Sequence, residues 1–413
     1  MKHFLSDIPT LELLVKEMKG MQPPAFREVN GHIHTPYSFS AFPEMDTIFK
    51  MAKEENIAVL GINDFYVTDG YPSFHKGCVK NRIFPLFNIE FIGLLREEQQ
   101  KGVRINDPNN PGRIYFSGKG LDYPFQIGLM QKIQLWKVVR ESQGQMKAMI
   151  QKLNGLIEKQ DPELRLSYST IRKEYAKDLV RERHLAKALR MAAVKKSAEP
   201  EKQIAFLEAL YGSKKLKSDI NNPASVENEI RSNLLKSGGA AFVEEDEKSF
   251  LELKKIISII LKAGGIPCYP VLLDDPSGKF TEYEGDYEKL DHSLKKLGVV
   301  CIELIPGRND GKILKEFVEF FNSRGYIITF GTEHNTPEMI PLTITSRGSV
   351  PLDESLKKIA WEGACITAAH QYLRYDGRQG YVMENGKNNG EQKKELAMLG
   401  QMVIEYYLNN KAK

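Results

Sequence analysis

The sequence predicts an α/β fold, either a doubly wound sheet or a (β/α) barrel. Two observations lead there. Seven short apolar runs recur along the chain, most apolar enough to be strands buried on both faces. Helical periodicity fills several of the intervals between them.

The chain opens on MKHFLSDIPTLELLVKEMKG, whose Asp7, Glu12, Lys16 and Glu17 break the apolar positions. That pattern is an amphipathic helix, not a secretory signal, and sets off residues 1–27. Strands follow at Glu28–His34, Val59–Asp64, Ile83–Phe91 and Arg113–Gly118, with a helix over Glu44–Glu55. Residues 122–238 break the alternation. They are rich in Lys, Glu, Leu and Ala, and predict a helical insertion. Alternation resumes with a helix at Glu247–Ala263 and a strand at Gly265–Leu272, then Asp286–Leu297 and Cys301–Ile305. A helix at Lys312–Arg324 and a strand at Tyr326–His334 complete it. Gly264–Gly265 and Gly325 close two of the helices and lead straight into strands. The expected division is therefore 28–121 with 239–345 for the α/β unit, 122–238 for the insertion and 346–413 for C-terminal helices.

Composition narrows the function classes. The 413 residues carry 58 Lys+Arg against 54 Asp+Glu, a net charge of +4. Without a long basic stripe, that balance argues against nucleic acid as a partner. The four cysteines, Cys78, Cys268, Cys301 and Cys365, form no C-x-x-C pair. Neither a zinc ribbon nor a disulfide framework is expected. No apolar run is long enough for a membrane span, so a reduced cytoplasm is the default compartment. A small-molecule substrate is the expected partner, and a homo-oligomer is left open.

The chemistry concentrates at strand ends, where barrels keep their active sites. Asn30–Thr35 reads N-G-H-I-H-T. Residues i and i+2 of a strand share a face, so His32 and His34 present two imidazoles together, half of a first-row metal site. The second strand ends in Asn63–Asp64. The third carries Glu90 inside an apolar run, and the last ends in Glu333–His334. A buried carboxylate such as Glu90 or Glu303 requires a cation, either a metal or a basic side chain. His75, after the second strand, is a further imidazole near the mouth. The aromatics Tyr37, Phe39, Phe42, Tyr66 and Tyr71 are candidates for lining a pocket or covering the barrel.

HIHTPYS, LGINDF, FNIEF, AGGIPCYP, CIELI and FGTEH, in that order, resemble the PHP domain of polymerases and histidinol phosphatases. The resemblance covers about Glu28–Asp122 and Gly238–Pro337. It implies a distorted (β/α)7 TIM-like barrel with a helical insertion and a helical C-terminal extension. It also implies hydrolysis of phosphate esters by a metal-bound hydroxide at a trinuclear centre.

The departures are patterned. Four expected imidazoles are replaced by Phe65, Tyr115, Tyr269 and Asn335. The positions that gather around one metal in the family are His32, His34, Glu90 and Glu333, and all can still ligate. One Zn²⁺, Mn²⁺ or Fe²⁺ per chain is therefore expected, with Asp64 orienting water or acting as base and His334 either protonating a leaving group or serving as a displaced ligand; His75 is a further candidate to replace a missing one. Lys119, Arg183 and His184 are the substrate-binding candidates. Lys187 and Arg190 extend the basic helical stretch that resembles a phosphate-holding segment of insertion-bearing relatives. The expected function is a metal-dependent hydrolase of a small phosphoester or related ester. The alternative is a non-catalytic barrel that has lost its metals and serves in binding or regulation.

Overall fold

The computed structural model describes residues 2–17, 26–38, 42–177, 179–336 and 338–409. Phe39 and the end of the expected N-terminal helix lie outside them; that helix is described over Leu11–Glu17. Eight strands form the main sheet: β1 Val29–Ile33, β2 Val59–Phe65, β3 Phe84–Leu94, β4 Arg113–Lys119, β5 Leu251–Glu252, β6 Ile266–Pro270, β7 Cys301–Leu304 and β8 Ile327–Phe330. Seven run in the order β1-β2-β3-β4-β6-β7-β8, while the two-residue β5 pairs with the upper end of β3. Closure comes from the segment after β8. The His34 N–H donates to Glu333 O at 2.8 Å and the Glu333 N–H to His32 O at 2.9 Å. The result is a distorted, nearly closed seven-stranded α/β barrel.

One feature departs from the expected parallel sheet. β4 is antiparallel to both neighbours, β3 and β6. Residues 95–112 between β3 and β4 contain only the short helix Arg96–Gln100, which is no crossover, so the chain turns back at the same end of the sheet. β4 therefore runs down to the barrel's lower end, and the insertion leaves from there.

Close approach of strands fixes one residue in each. A Cβ on Gly61 would lie 2.3 Å from Gly31 O and 2.6 Å from Asn88 Nδ2. Asn88 uses that space to donate to Gly31 O at 3.0 Å and to accept the Gly120 N–H at 3.0 Å, tying three strands together.

Helices at Met45–Glu54, Tyr71–Asn81, Leu253–Lys262, Tyr287–Lys296 and Gly311–Ser323 pack outside the sheet. The helix expected from Glu247 begins six residues later. Asp246 caps a short 3₁₀ turn at Glu247–Ser249, and β5 takes the next residues onto the edge of β3. From Leu253 onward, Leu253, Ile256, Ile259 and Ile260 recur at helical spacing and are buried.

The insertion contains the helices Leu129–Ile157, Tyr168–Glu174, Glu182–Lys196, Pro200–Leu210 and Pro223–Ile230. The first has 29 residues, about 44 Å at 1.5 Å per residue. Met149, Leu153, Leu185, Leu189, Leu207 and Ile230 form a hydrophobic cluster separate from the barrel core. At the C-terminus, the helices Glu354–Tyr375 and Lys393–Asn409 pack on each other, and the first also packs on β8. Arg374 makes a bidentate pair with Asp122 at 2.6 Å, and Arg27 one with Glu405 at 2.5 and 2.7 Å. Arg378 pairs with Glu12 at 2.7 Å and Asp376 at 2.8 Å. No described helix is long and apolar enough to cross a membrane.

Candidate metal centre

The barrel interior is polar at one level. In register, Phe65 of β2 lies beside Glu90 of β3, and Glu90 beside Ser117 of β4. His32 on β1 and His34 just beyond it reach this level from the first strand. The two Nε2 atoms lie 3.4 Å apart. Glu90 Oε2 is 3.3 Å from His34 Nε2 and 3.7 Å from His32 Nε2. All three side chains are buried.

These three are the group of potential metal ligands found among the described residues. The fit to a cation rests on the buried Glu90 Oε2, which has no hydrogen-bond partner. An orphaned carboxylate oxygen facing two imidazole nitrogens is costly without a cation, and two nitrogens with one oxygen suit a first-row divalent ion. Burial, reinforced by Arg181, holds His34 well below its ordinary pKa. Burial also lowers His32, against the pull of Glu303. Burial thus pushes both imidazoles toward the neutral form, the one that ligates. Burial raises Glu90 to about 7, opposed by His32.

Polar side chains surround this trio, and among them Asn63 Oδ1 is buried without a hydrogen-bond partner. Glu303 Oε2 lies 3.0 Å from His32 Nδ1, and its Oε1 pairs with the buried Lys119 ammonium. Burial opposes ionisation of Glu303, yet His32 and Lys119 outweigh it and bring the carboxyl to about 2. Asn63 Nδ2 contacts His32 and donates to Ser117 Oγ at 3.2 Å. A Cβ on Gly331 would lie 2.3 Å from His32 Cβ, so only glycine lets β8 close against the ligand strand here.

Several expected roles change. Glu333 is not in the ligand group: its carboxylate is ion-paired to Arg308 at the mouth. Residues 333 and 334 both have positive φ, so the chain turns sharply there and carries His334 away as well. His334 Nδ1 lies 2.7 Å from Thr332 Oγ1 and its Nε2 2.9 Å from Ile340 O. The ring stacks on Phe42 at 4.7 Å. With both nitrogens occupied it is not placed to protonate a leaving group.

Asp64 alternates with Asn63 and Phe65 and points away from the interior. It accepts the Thr35 N–H at 2.7 Å and the hydroxyls of Thr35 and Ser38 at 2.5 Å each. Burial raises it to about 7 despite these bonds. Its place is behind the first loop, so it is not a base facing substrate. Lys119 is not at the mouth either. Because β4 is antiparallel, its end lies at the bottom, and the side chain reaches up inside the barrel to Glu303.

Arg183 and His184 are buried in the insertion. Arg183 donates to Asn228 Oδ1 at 3.2 Å, and His184 Nδ1 accepts the Arg181 N–H at 3.0 Å. Arg190 is paired with Glu227 at 2.9 Å. His75 is buried away from the trio, against Tyr123 and Phe4. Of the replacing residues, Phe65 stacks parallel on His34 with centroids 5.1 Å apart, and Tyr269 donates to Glu284 at 2.6 Å.

Two cations were missed. The Leu179 N–H donates to Tyr37 O at 3.3 Å and anchors the insertion to the first loop. This lays the Arg181 guanidinium over the Phe65 ring at 4.9 Å. Arg308, in IPGRND directly after β7, stands at the mouth beside Glu333. Its position after a strand end was the available signal. Arg181 sits two residues before a basic pair that drew attention in its place.

No protein-family model and no curated protein matches the chain. Solved structures do. An amidohydrolase from Chromobacterium violaceum, with bound sulfate and no metal, is 13% identical over 81% of this chain and 96% of its own, with a TM-score of 0.50. A protein from Bifidobacterium adolescentis designated a metal-dependent phosphoesterase is 15% identical over 82% of this chain and 96% of its own, with a TM-score of 0.49. At this identity the likeness to the first is one of fold: the chain has a nearly closed α/β barrel into which a buried His-His-Glu group projects.

Proposed function

We propose that this chain is a metal-dependent hydrolase of small anionic esters, phosphoesters first among them, with one divalent ion held by His32, His34 and Glu90. The observation that carries this reading is the buried, unpartnered Glu90 Oε2 facing two imidazoles. Bound there, a divalent ion would act as a Lewis acid and lower the pKa of water toward neutrality. The chain's own residues supply the rest. Arg181 places positive charge at the mouth and favours an anionic substrate, while Arg308 stands there paired with Glu333. Arg183 and His184, two and three residues after the first of these, are candidates for a more distant part of the substrate. Phe65 stacks against one side of His34 and shields it from water.

The test strips the protein with a chelator and reloads it with Mn²⁺, Zn²⁺ or Fe²⁺. Phosphomonoesters are then assayed beside carboxyl esters and lactones. The reading expects metal-dependent phosphoester hydrolysis that falls about 100-fold or more in His34→Ala and Glu90→Gln. Hydrolysis insensitive to both metal and substitution contradicts it.

A second reading, a binding or regulatory barrel, is favoured by the aromatic side chains at the lost ligand positions. Phe65 and Tyr269 are packed or hydrogen-bonded there. Metal uptake without turnover of any ester in the panel supports that reading.

A further inference from the structure

We propose that Glu303 and Asp64 are positioning residues that set both imidazoles in one tautomer, Nδ1 protonated, so that the two Nε2 lone pairs converge beside Glu90. The inference rests on the single-metal reading above and adds the groups that orient its ligands.

For His32 the argument starts from Glu303. Its Oε2, 3.0 Å from Nδ1, can only accept when ionised, so Nδ1 carries the hydrogen. Glu303 is itself held on its other oxygen by the buried Lys119 ammonium, and Ser117 Oγ stands 3.4 Å from Oε2. Asn63 Nδ2 lies 3.1 Å from both ring nitrogens, so the tautomer of His32 is decided by Glu303.

For His34 the relay is longer. The Ser38 hydroxyl gives its only hydrogen to Asp64 Oδ1 at 2.5 Å. Toward His34 Nδ1, 3.4 Å away, the same oxygen can then only accept. Asp64 also holds the Thr35 N–H and hydroxyl, which keeps the loop carrying Ser38 in place. Both rings thus receive on Nδ1 the outer partner that metal-ligating histidines commonly need, one directly and one through a hydroxyl. Two carboxylates from β2 and β7 act through other side chains, with neither in the ligand group.

The tautomers are read by ¹⁵N–¹H correlation on the metal-free, ¹⁵N-histidine-labelled wild-type protein. The expected spectra show Nδ1–H with bare Nε2 for both residues. A predominant Nε2–H form of either overturns the assignment for that ring. The second measurement is calorimetric titration with Mn²⁺ and Zn²⁺. Glu303→Gln is expected to weaken binding roughly 10–100-fold at unchanged stoichiometry, and Asp64→Asn to weaken it less. Unchanged affinity in Glu303→Gln overturns the inference and leaves the metal centre standing. Absence of metal uptake by the wild type overturns the metal centre and this inference with it. Should Glu303→Gln fail to fold, the wild-type tautomers decide.

Discussion

Lys119 illustrates how one buried residue answers for another. Its ammonium and the Glu303 carboxylate are both removed from water, and each is tolerated because of the other. Lys119→Met keeps much of the volume and deletes the charge, leaving Glu303 with His32 and Ser117 alone. The expected cost is about 3–5 kcal/mol, measured by urea unfolding. A loss under 1 kcal/mol would show that Glu303 does not depend on its ammonium partner. His370 provides a pH handle far from the centre. It is buried, with Nε2 2.6 Å from Gly264 O, and burial lowers its pKa from 6.5 to about 4. The unfolded chain therefore binds the proton more readily. The stability His370 contributes is complete above pH 6.5 and is lost as pH falls toward 4, by up to about 3 kcal/mol. The gap in urea midpoint between wild type and His370→Gln, followed from pH 7 to 4, should show that slope, since Asp64 and Glu90, raised by burial, act in the opposite sense in both proteins.

Elements explain what single residues do not. β1, β2 and β3 approach closely because Gly31, Gly61 and Asn88 let them. Gly61→Ala drives a methyl group into backbone and is expected to cost about 1–3 kcal/mol or more, seen as a lowered melting temperature. An unchanged melting temperature would mean that the strands can part at no cost. The insertion is a second case. Its cluster around Leu153 and Leu189 is distinct from the barrel core. Leu189→Ala should cost about 2–5 kcal/mol locally and speed hydrogen exchange in residues 182–196 while β1–β3 stay protected. Uniform loss of protection would instead make insertion and barrel one cooperative unit. The strands themselves were legible because continuous apolar runs such as FNIEF and CIELI have few other uses. The direction of β4 was not. Its run looks the same read either way, and only the connection, which lacks a crossover helix, reverses it.

At the scale of the whole molecule, residues as far apart in sequence as His32 and Glu333 were expected to converge on one cation. Spacing alone paired His32 with His34, since alternation dictates a shared face, and an acid stranded among Phe and Ile marked Glu90. The placement of Glu333 and His334 outside the trio was not legible, because their backbone turns through positive φ, which no side-chain pattern announces. Arg181 was not legible because its position over Phe65 depends on how the insertion folds back to Tyr37. What the assembled chain offers is one buried trio, an inner carboxylate–ammonium pair and two arginines at the mouth, Arg308 paired with Glu333. Elemental analysis of metal-stripped and reloaded protein tests that picture most directly. One divalent ion per wild-type chain and none in His34→Ala is the predicted result; two or three ions per chain, or equal loading of both proteins, would contradict it.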